Sequence, residues 1–144
     1  MYALTALRVT IGWLFLNAGI AKLADSAWSA AGYLKGATTL PGFFAALTDP
    51  GVMPIINFLV EWGLVLLGLG LIFGICVKWS AYLGSLLMFL FYLPVLDFPK
   101  VGHGYLVDEH IIYIAGLLTL AAFDAGKVWG LEDKVHGMFR RWMQ

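Results

Sequence analysis

The chain has 144 residues, 61% of them hydrophobic and only 12% charged, with a formal net charge of +0. Soluble domains carry about a quarter charged residues; this composition, with a mean hydropathy of +0.85, excludes an ordinary cytosolic domain and a disordered chain and points to several membrane-spanning helices. There is no basic excess for nucleic acid, and the single cysteine, Cys76, excludes an intramolecular disulfide framework, a CxxC redox pair and a cysteine-rich zinc site.

A helix crossing about 30 Å of hydrocarbon needs about 20 apolar residues. The first candidate span runs from about Ala3 to Leu23 and carries Arg8 inside it. Its long apolar run has no basic region before it, which predicts a retained span rather than a cleaved signal peptide. Arg8, Gly12, Phe15, Gly19 and Lys22 recur at helical spacing. A stripe that mixes cations with small residues is expected to face other helices rather than lipid. Residues 24–52 are too polar to span, with turn signals at Pro41-Gly42 and Asp49-Pro50-Gly51. They read as short amphipathic pieces on the membrane surface.

The second span runs from about Met53 to Val77 with one charge, Glu61. Gly70 and Gly74 permit close backbone approach, read here as packing within the bundle rather than as a dimerisation signal. The third span, about Trp79 to Leu96, has no charge, and the short link at Lys78 predicts an antiparallel hairpin with the second. A loop over 97–107 holds Pro99, Gly102 and Gly104. The fourth and shortest span, about Val107 to Phe123, begins with Asp108, Glu109 and His110. In the tail 127–144, Val128, Leu131, Val135, Met138 and Trp142 share one helical face, which fits an interfacial amphipathic helix or an ordinary exposed tail.

The expected fold is a single all-α integral membrane domain: a four-transmembrane-helix bundle with an external amphipathic loop and a C-terminal interfacial helix. Arg8, Lys78, Lys127, Lys134, Arg140 and Arg141 fall on one side, against Lys22, Lys35 and Lys100 on the other. That bias predicts both termini in the cytoplasm and a location in the cytoplasmic membrane, in contact with lipid.

Charges in hydrocarbon cost about 2.5–3.5 kcal/mol each on insertion scales, so they are expected to face partners. At 1.5 Å of rise per residue, Asn17, Lys22, Asn57, Glu61, Tyr92, His110 and Tyr113 fall in one polar layer in the outer half of the bundle. A Lys22–Glu61 pair could do no more than fix helix register. The layer is also suited to a quinone headgroup, which needs hydrogen-bond donors at its carbonyls and a route for protons. In that reading Glu61, Lys22 and His110 are the catalytic candidates, and Asn17, Asn57, Tyr92 and Tyr113 line the pocket. Arg8 lies too deep to reach Glu61 and nearer Asp124. His103, Asp108, Glu109 and His110 are plausible metal ligands, but their spacing matches no strong signature, and carboxylates also favour a helix start for its dipole. No metal is assigned.

The stretch Arg8-Val-Thr-Ile-Gly-Trp-Leu-Phe-Leu-Asn-Ala-Gly-Ile-Ala-Lys22 resembles the opening R-x3-G-x2-F-x3-G-x2-K pattern of the DoxX/DoxD family of small four-helix membrane proteins. Glu61-Trp-Gly63 followed by Leu66-Leu67-Gly68 resembles its second-helix motif. Val107-Asp108-Glu109-His110-Ile111-Ile112-Tyr113 resembles the fourth-helix start of the DoxD-like branch, and Asp124-Ala-Gly-Lys-Val-Trp-Gly-Leu131 its DAGR…GLD ending. Here Glu132 follows Leu131, and Asp133 comes one place later.

The resemblance implies a membrane subunit of a thiosulfate:quinone oxidoreductase that acts with a partner subunit. It brings no agreed set of catalytic residues. The expected function is transfer of electrons from a sulfur compound to membrane quinone. The alternatives are a non-catalytic anchor or assembly subunit of a larger complex, and a small transporter working as a homo-oligomer. The small multidrug carriers carry their essential Glu in the first helix, where this chain has Arg8.

Overall fold

The protein is described by a computed structural model over residues 1–101 and 104–131. Its long helices are α1 (Tyr2–Ala24), α4 (Met53–Phe73), α5 (Val77–Val95) and α6 (Glu109–Ala122). Two short helices, α2 (Ala31–Lys35) and α3 (Pro41–Ala46), fill the link between α1 and α4. α1 and α4 are long and apolar enough to cross a membrane. α5 has 19 residues and α6 only 14. The amphipathic tail falls mostly, and His103 wholly, outside the described residues.

The long helices contact one another in the cyclic order α1, α4, α5, α6, with α1 against α4 and α5 against α6 the most extensive pairings. Their shared core includes Ile11 and Phe15 of α1, Leu64 and Leu71 of α4, Ala81 and Met88 of α5, and Leu117 and Leu120 of α6. Tight α1–α4 packing follows from missing side chains. A Cβ on Gly68 would lie 2.5 Å from the Leu16 backbone nitrogen and 2.7 Å from the Gly12 carbonyl oxygen. The Gly12 and Gly19 positions are equally closed against α4. Gly70 packs inside the bundle against the Ser80 hydroxyl, as its small size allows.

Where the sequence pattern runs the second span on to Val77, the helix stops at Phe73. Gly74 adopts a left-handed conformation with φ 68°. Its N–H donates to the Leu71 carbonyl and that of Ile75 to the Gly70 carbonyl, a Schellman ending. Apolar periodicity cannot register this stop, because Ile75 and Val77 continue the apolar run.

The 97–107 region also departs from an all-α fold. Leu96–Asp97 (β1), Lys100–Val101 (β2) and Gly104–Tyr105 (β3) form a small antiparallel sheet in the order β1-β2-β3. Leu96 faces Val101 and Lys100 faces Tyr105. Strands of two residues are too short for alternation to reveal them. Val101 is buried, and this anchors the sheet.

Residues 24–52 do more than rest on a surface. Ala30, Leu34, Ala37, Phe44 and Met53 build a second core. This segment also supplies donors to the carbonyls left open at the end of α5. Thr38 N–H donates to the Pro94 carbonyl at 3.0 Å, and the Thr38 hydroxyl to that of Leu96 at 2.8 Å. The Thr39 hydroxyl donates to the Leu96 carbonyl as well.

Candidate functional site

Where the link, the end of α5 and the start of α6 meet, they leave a cleft of about 390 Å³. Lys22, in the last turn of α1, forms one wall. Trp28, Ser29, Ala30 and Tyr33 come from the link and α2. Phe91 and Val95, four residues apart and so on one face of α5, form the opposite wall. Glu109 and His110 contribute the first turn of α6.

Each polar group has a local reason for its place. Asp108 is the N-cap of α6: its Oδ1 accepts from the His110 N–H at 3.0 Å and the Ile111 N–H at 3.3 Å. Its other oxygen, Oδ2, lies 2.6 Å from His110 Nδ1. The imidazole also meets the Phe91 ring edge-on, with centroids 6.5 Å apart. The Lys22 ammonium lies 5.3 Å from the centre of the Trp28 ring, a cation–π contact. The Tyr33 hydroxyl donates to the Phe91 carbonyl. Burial, then the charges of Asp108 and Glu109, push the Tyr33 hydroxyl up to about 12.

Of the residues expected to form one polar layer, only Lys22 and His110 line the cleft. The Lys22–Glu61 ion pair is not formed: Lys22 turns toward Trp28, and no salt bridge reaches Glu61 among the described residues. Depth alone placed these two together, and depth does not fix the azimuth at which a side chain leaves its helix. Asn17 lies on an exposed face of α1. The buried Tyr92 ring sends its hydroxyl to the Leu106 carbonyl at 2.7 Å, tying down the segment before α6. Tyr113 packs against the bundle core. Asn57 stands behind the cleft wall, where its Oδ1 accepts from the Ala30 N–H at 3.0 Å and its Nδ2 reaches the Ser29 hydroxyl at 3.4 Å.

The sequence reading missed Phe91 as a wall, and Asp108 and Glu109 as companions of His110 in a cleft rather than metal ligands. The Asp108-x-His110 spacing at a helix start was a usable signal, since an N-cap carboxylate can also reach the side chain two residues on. Among the described residues, no group of three or more His, Cys, Asp and Glu is gathered for a metal ion.

At the opposite end of the bundle, Arg8 is 2% exposed. Its guanidinium donates to the carbonyls of Ala125 at 2.6 Å, Val128 at 3.1 Å and Trp129 at 3.3 Å. Asp124, expected near Arg8, instead pairs with Lys78 at 3.1 Å and Lys127 at 3.5 Å. The Lys78 hydrogen bond, helped by the charges of Lys127 and Lys78, holds the Asp124 carboxyl below its usual range. The Leu131 N–H closes the arrangement by donating to the Phe73 carbonyl at 3.1 Å.

The DoxX family model matches residues 3–95, from α1 to the end of α5. No curated protein and no solved structure matches the chain.

Proposed function

The chain belongs to the DoxX family, and from that premise we propose that it is the membrane subunit of a quinone-linked redox complex, with the cleft as its quinone site. The observation that carries this reading is the meeting of aromatic walls with polar groups of unspent capacity. Trp28, Tyr33 and Phe91 offer ring faces and edges to a flat ring. The Lys22 ammonium supplies hydrogen-bond donors, and no salt bridge uses them among the described residues. His110 Nε2 has no hydrogen-bond partner among the described residues. A quinone has two carbonyl oxygens on a flat ring, so this donor set and these walls fit it. Bound there, it would supply two-electron chemistry, taking up two protons. A sulfur compound of the thiosulfate class, oxidised on a partner subunit to join two of its molecules through a sulfur–sulfur bond, is the proposed source of both electrons.

The DoxD-like subtype rests on residues 107–113 and 124–131, beyond the matched region. The remaining membrane geometry belongs to the same proposal. α5 would span about 28 Å and α6 about 21 Å at the helical rise, so α6 crosses only where the bilayer thins or protein covers its ends. Lys78 and Lys127 at the Arg8 end, with Arg8 itself, favour the cytoplasm for that end.

Titration of the detergent-solubilised chain with a short-tailed benzoquinone tests the site. Saturable binding is expected, weakened about tenfold by Phe91→Ala and by Lys22→Met and untouched by Glu61→Gln. Equal affinity in all four proteins removes the cleft from the account.

A second reading is an anchor or assembly subunit. Leu40, Phe43, Phe98 and Tyr105 are exposed apolar side chains on the segments around the cleft end, a surface on which a larger subunit could sit. Full turnover of a co-purified complex bearing Phe91→Ala and Lys22→Met favours this reading over the first.

A further inference from the structure

The Asp108 carboxylate uses its two oxygens differently. Oδ1 accepts the backbone N–H groups of His110 and Ile111, and Oδ2 faces His110 Nδ1 at 2.6 Å. An ionised carboxylate only accepts, so Nδ1 must carry the hydrogen. A neutral imidazole then has a bare Nε2, the reverse of the tautomer that predominates for free histidine in water.

We infer that Asp108 is a positioning residue that locks His110 in its Nδ1–H form and presents Nε2 to the cleft as a hydrogen-bond and proton acceptor for a ring-borne hydroxyl. This rests on the reading of the cleft as a quinone site. In the direction of quinone reduction, a doubly protonated His110 gives its Nε2 proton to a ring oxygen. It returns to the Nδ1–H form held by Asp108 and is reloaded from water. The electrons come from the sulfur compound and do not pass through His110.

The other charged or titratable groups around the imidazole support this role. Lys22 from α1 and Tyr33 from α2 line the same cleft, with Glu109 beside His110 on α6. The Tyr33 hydroxyl is committed to the Phe91 carbonyl and the Tyr92 hydroxyl of α5 to that of Leu106. Tyr113, one turn along α6, packs into the core. Lys22 is therefore a donor to the ligand, and His110 is the group able both to give and to accept at neutral pH.

Asp108→Asn separates this role from helix capping. Asn is as good an N-cap as Asp. If its carbonyl oxygen keeps the two backbone N–H groups, its NH2 takes the place of Oδ2. That NH2 donates to Nδ1 and forces the hydrogen onto Nε2.

The experiment is nitrogen-15 NMR of the histidine-labelled full chain in micelles, at a pH high enough to keep the ring neutral. His110→Gln identifies the signal by its loss. Wild type is expected to show a protonated Nδ1 and a bare Nε2, and Asp108→Asn the inverse, with a hydroquinone bound about tenfold more weakly and the matching benzoquinone bound as before. Asp108→Ser caps the helix but cannot reach Nδ1, so it also reverts to the Nε2–H form and serves if the Asn variant does not fold. A wild-type ring already in the Nε2–H form, or the wild-type tautomer persisting in the variants, overturns the inference. The expected tautomers with no response of Nε2 to either ring compound overturn the quinone reading instead.

Discussion

The two ends of the bundle handle their cations in opposite ways. At one end Arg8 is sealed from solvent and its guanidinium is aimed at backbone carbonyls of the 125–129 segment, so charge is spent on structure. At the other, Lys22 lies over an indole at the mouth of a cleft, and His110 holds one nitrogen on Asp108 while the second stays uncommitted. The comparison separates polar groups that close a fold from polar groups that await a ligand. Residue type does not make this distinction; the count of satisfied donors and acceptors does.

The largest break in this comparison is Arg8→Met. It leaves three carbonyls without their donor in a buried place, and should cost at least about 3 kcal/mol. Unfolding in detergent checks it, and a loss below about 1 kcal/mol would mean that the 124–131 segment holds itself. Arg8→Lys should lose less but still clearly, since an ammonium lacks the planar fork that reaches several carbonyls at once. Next comes Gly68→Ala, where the added methyl meets the α1 backbone at 2.5 Å. Over-packing of this kind should cost about 2–3 kcal/mol. Gly63→Ala, with no atom within 4 Å of its Cβ, is the control and should be neutral or slightly stabilising. Equal effects of the two would contradict the close α1–α4 contact.

Lys22→Met sharpens the contrast with Arg8→Met. Only a cation–π contact is lost, so stability should change by no more than about 1 kcal/mol while quinone binding falls. The smallest effect concerns Tyr33. Its hydroxyl keeps its proton in the folded chain to about pH 12, whereas an unfolded tyrosine loses it near the ordinary value of 10.0. Its contribution to stability is therefore fully present below pH 10 and is lost as the pH rises through about 12. Unfolding midpoints measured from pH 9 to 12 should fall more steeply for wild type than for Tyr33→Phe. Parallel curves would show that the hydroxyl is as solvated as in the open chain.

The sequence alone determined the four long helices and their apolar character, because a run of some twenty apolar residues leaves the backbone few ways to satisfy its polar groups in lipid. It also marked Gly12, Gly19 and Gly68 as contact positions, and Arg8 and Lys22 as residues of one inward stripe. It did not reveal the early stop at Gly74, where a single left-handed residue overrides an unbroken hydrophobic pattern, nor strands two residues long. Above all, it could not say which polar side chains meet. Height along a helix is legible from residue number, but the direction of a side chain depends on how neighbouring helices turn and pack. Only the tertiary structure turned Lys22 away from Glu61 toward Trp28, sent Arg8 to carbonyls more than a hundred residues away, and set His110 against Asp108 beside an aromatic wall.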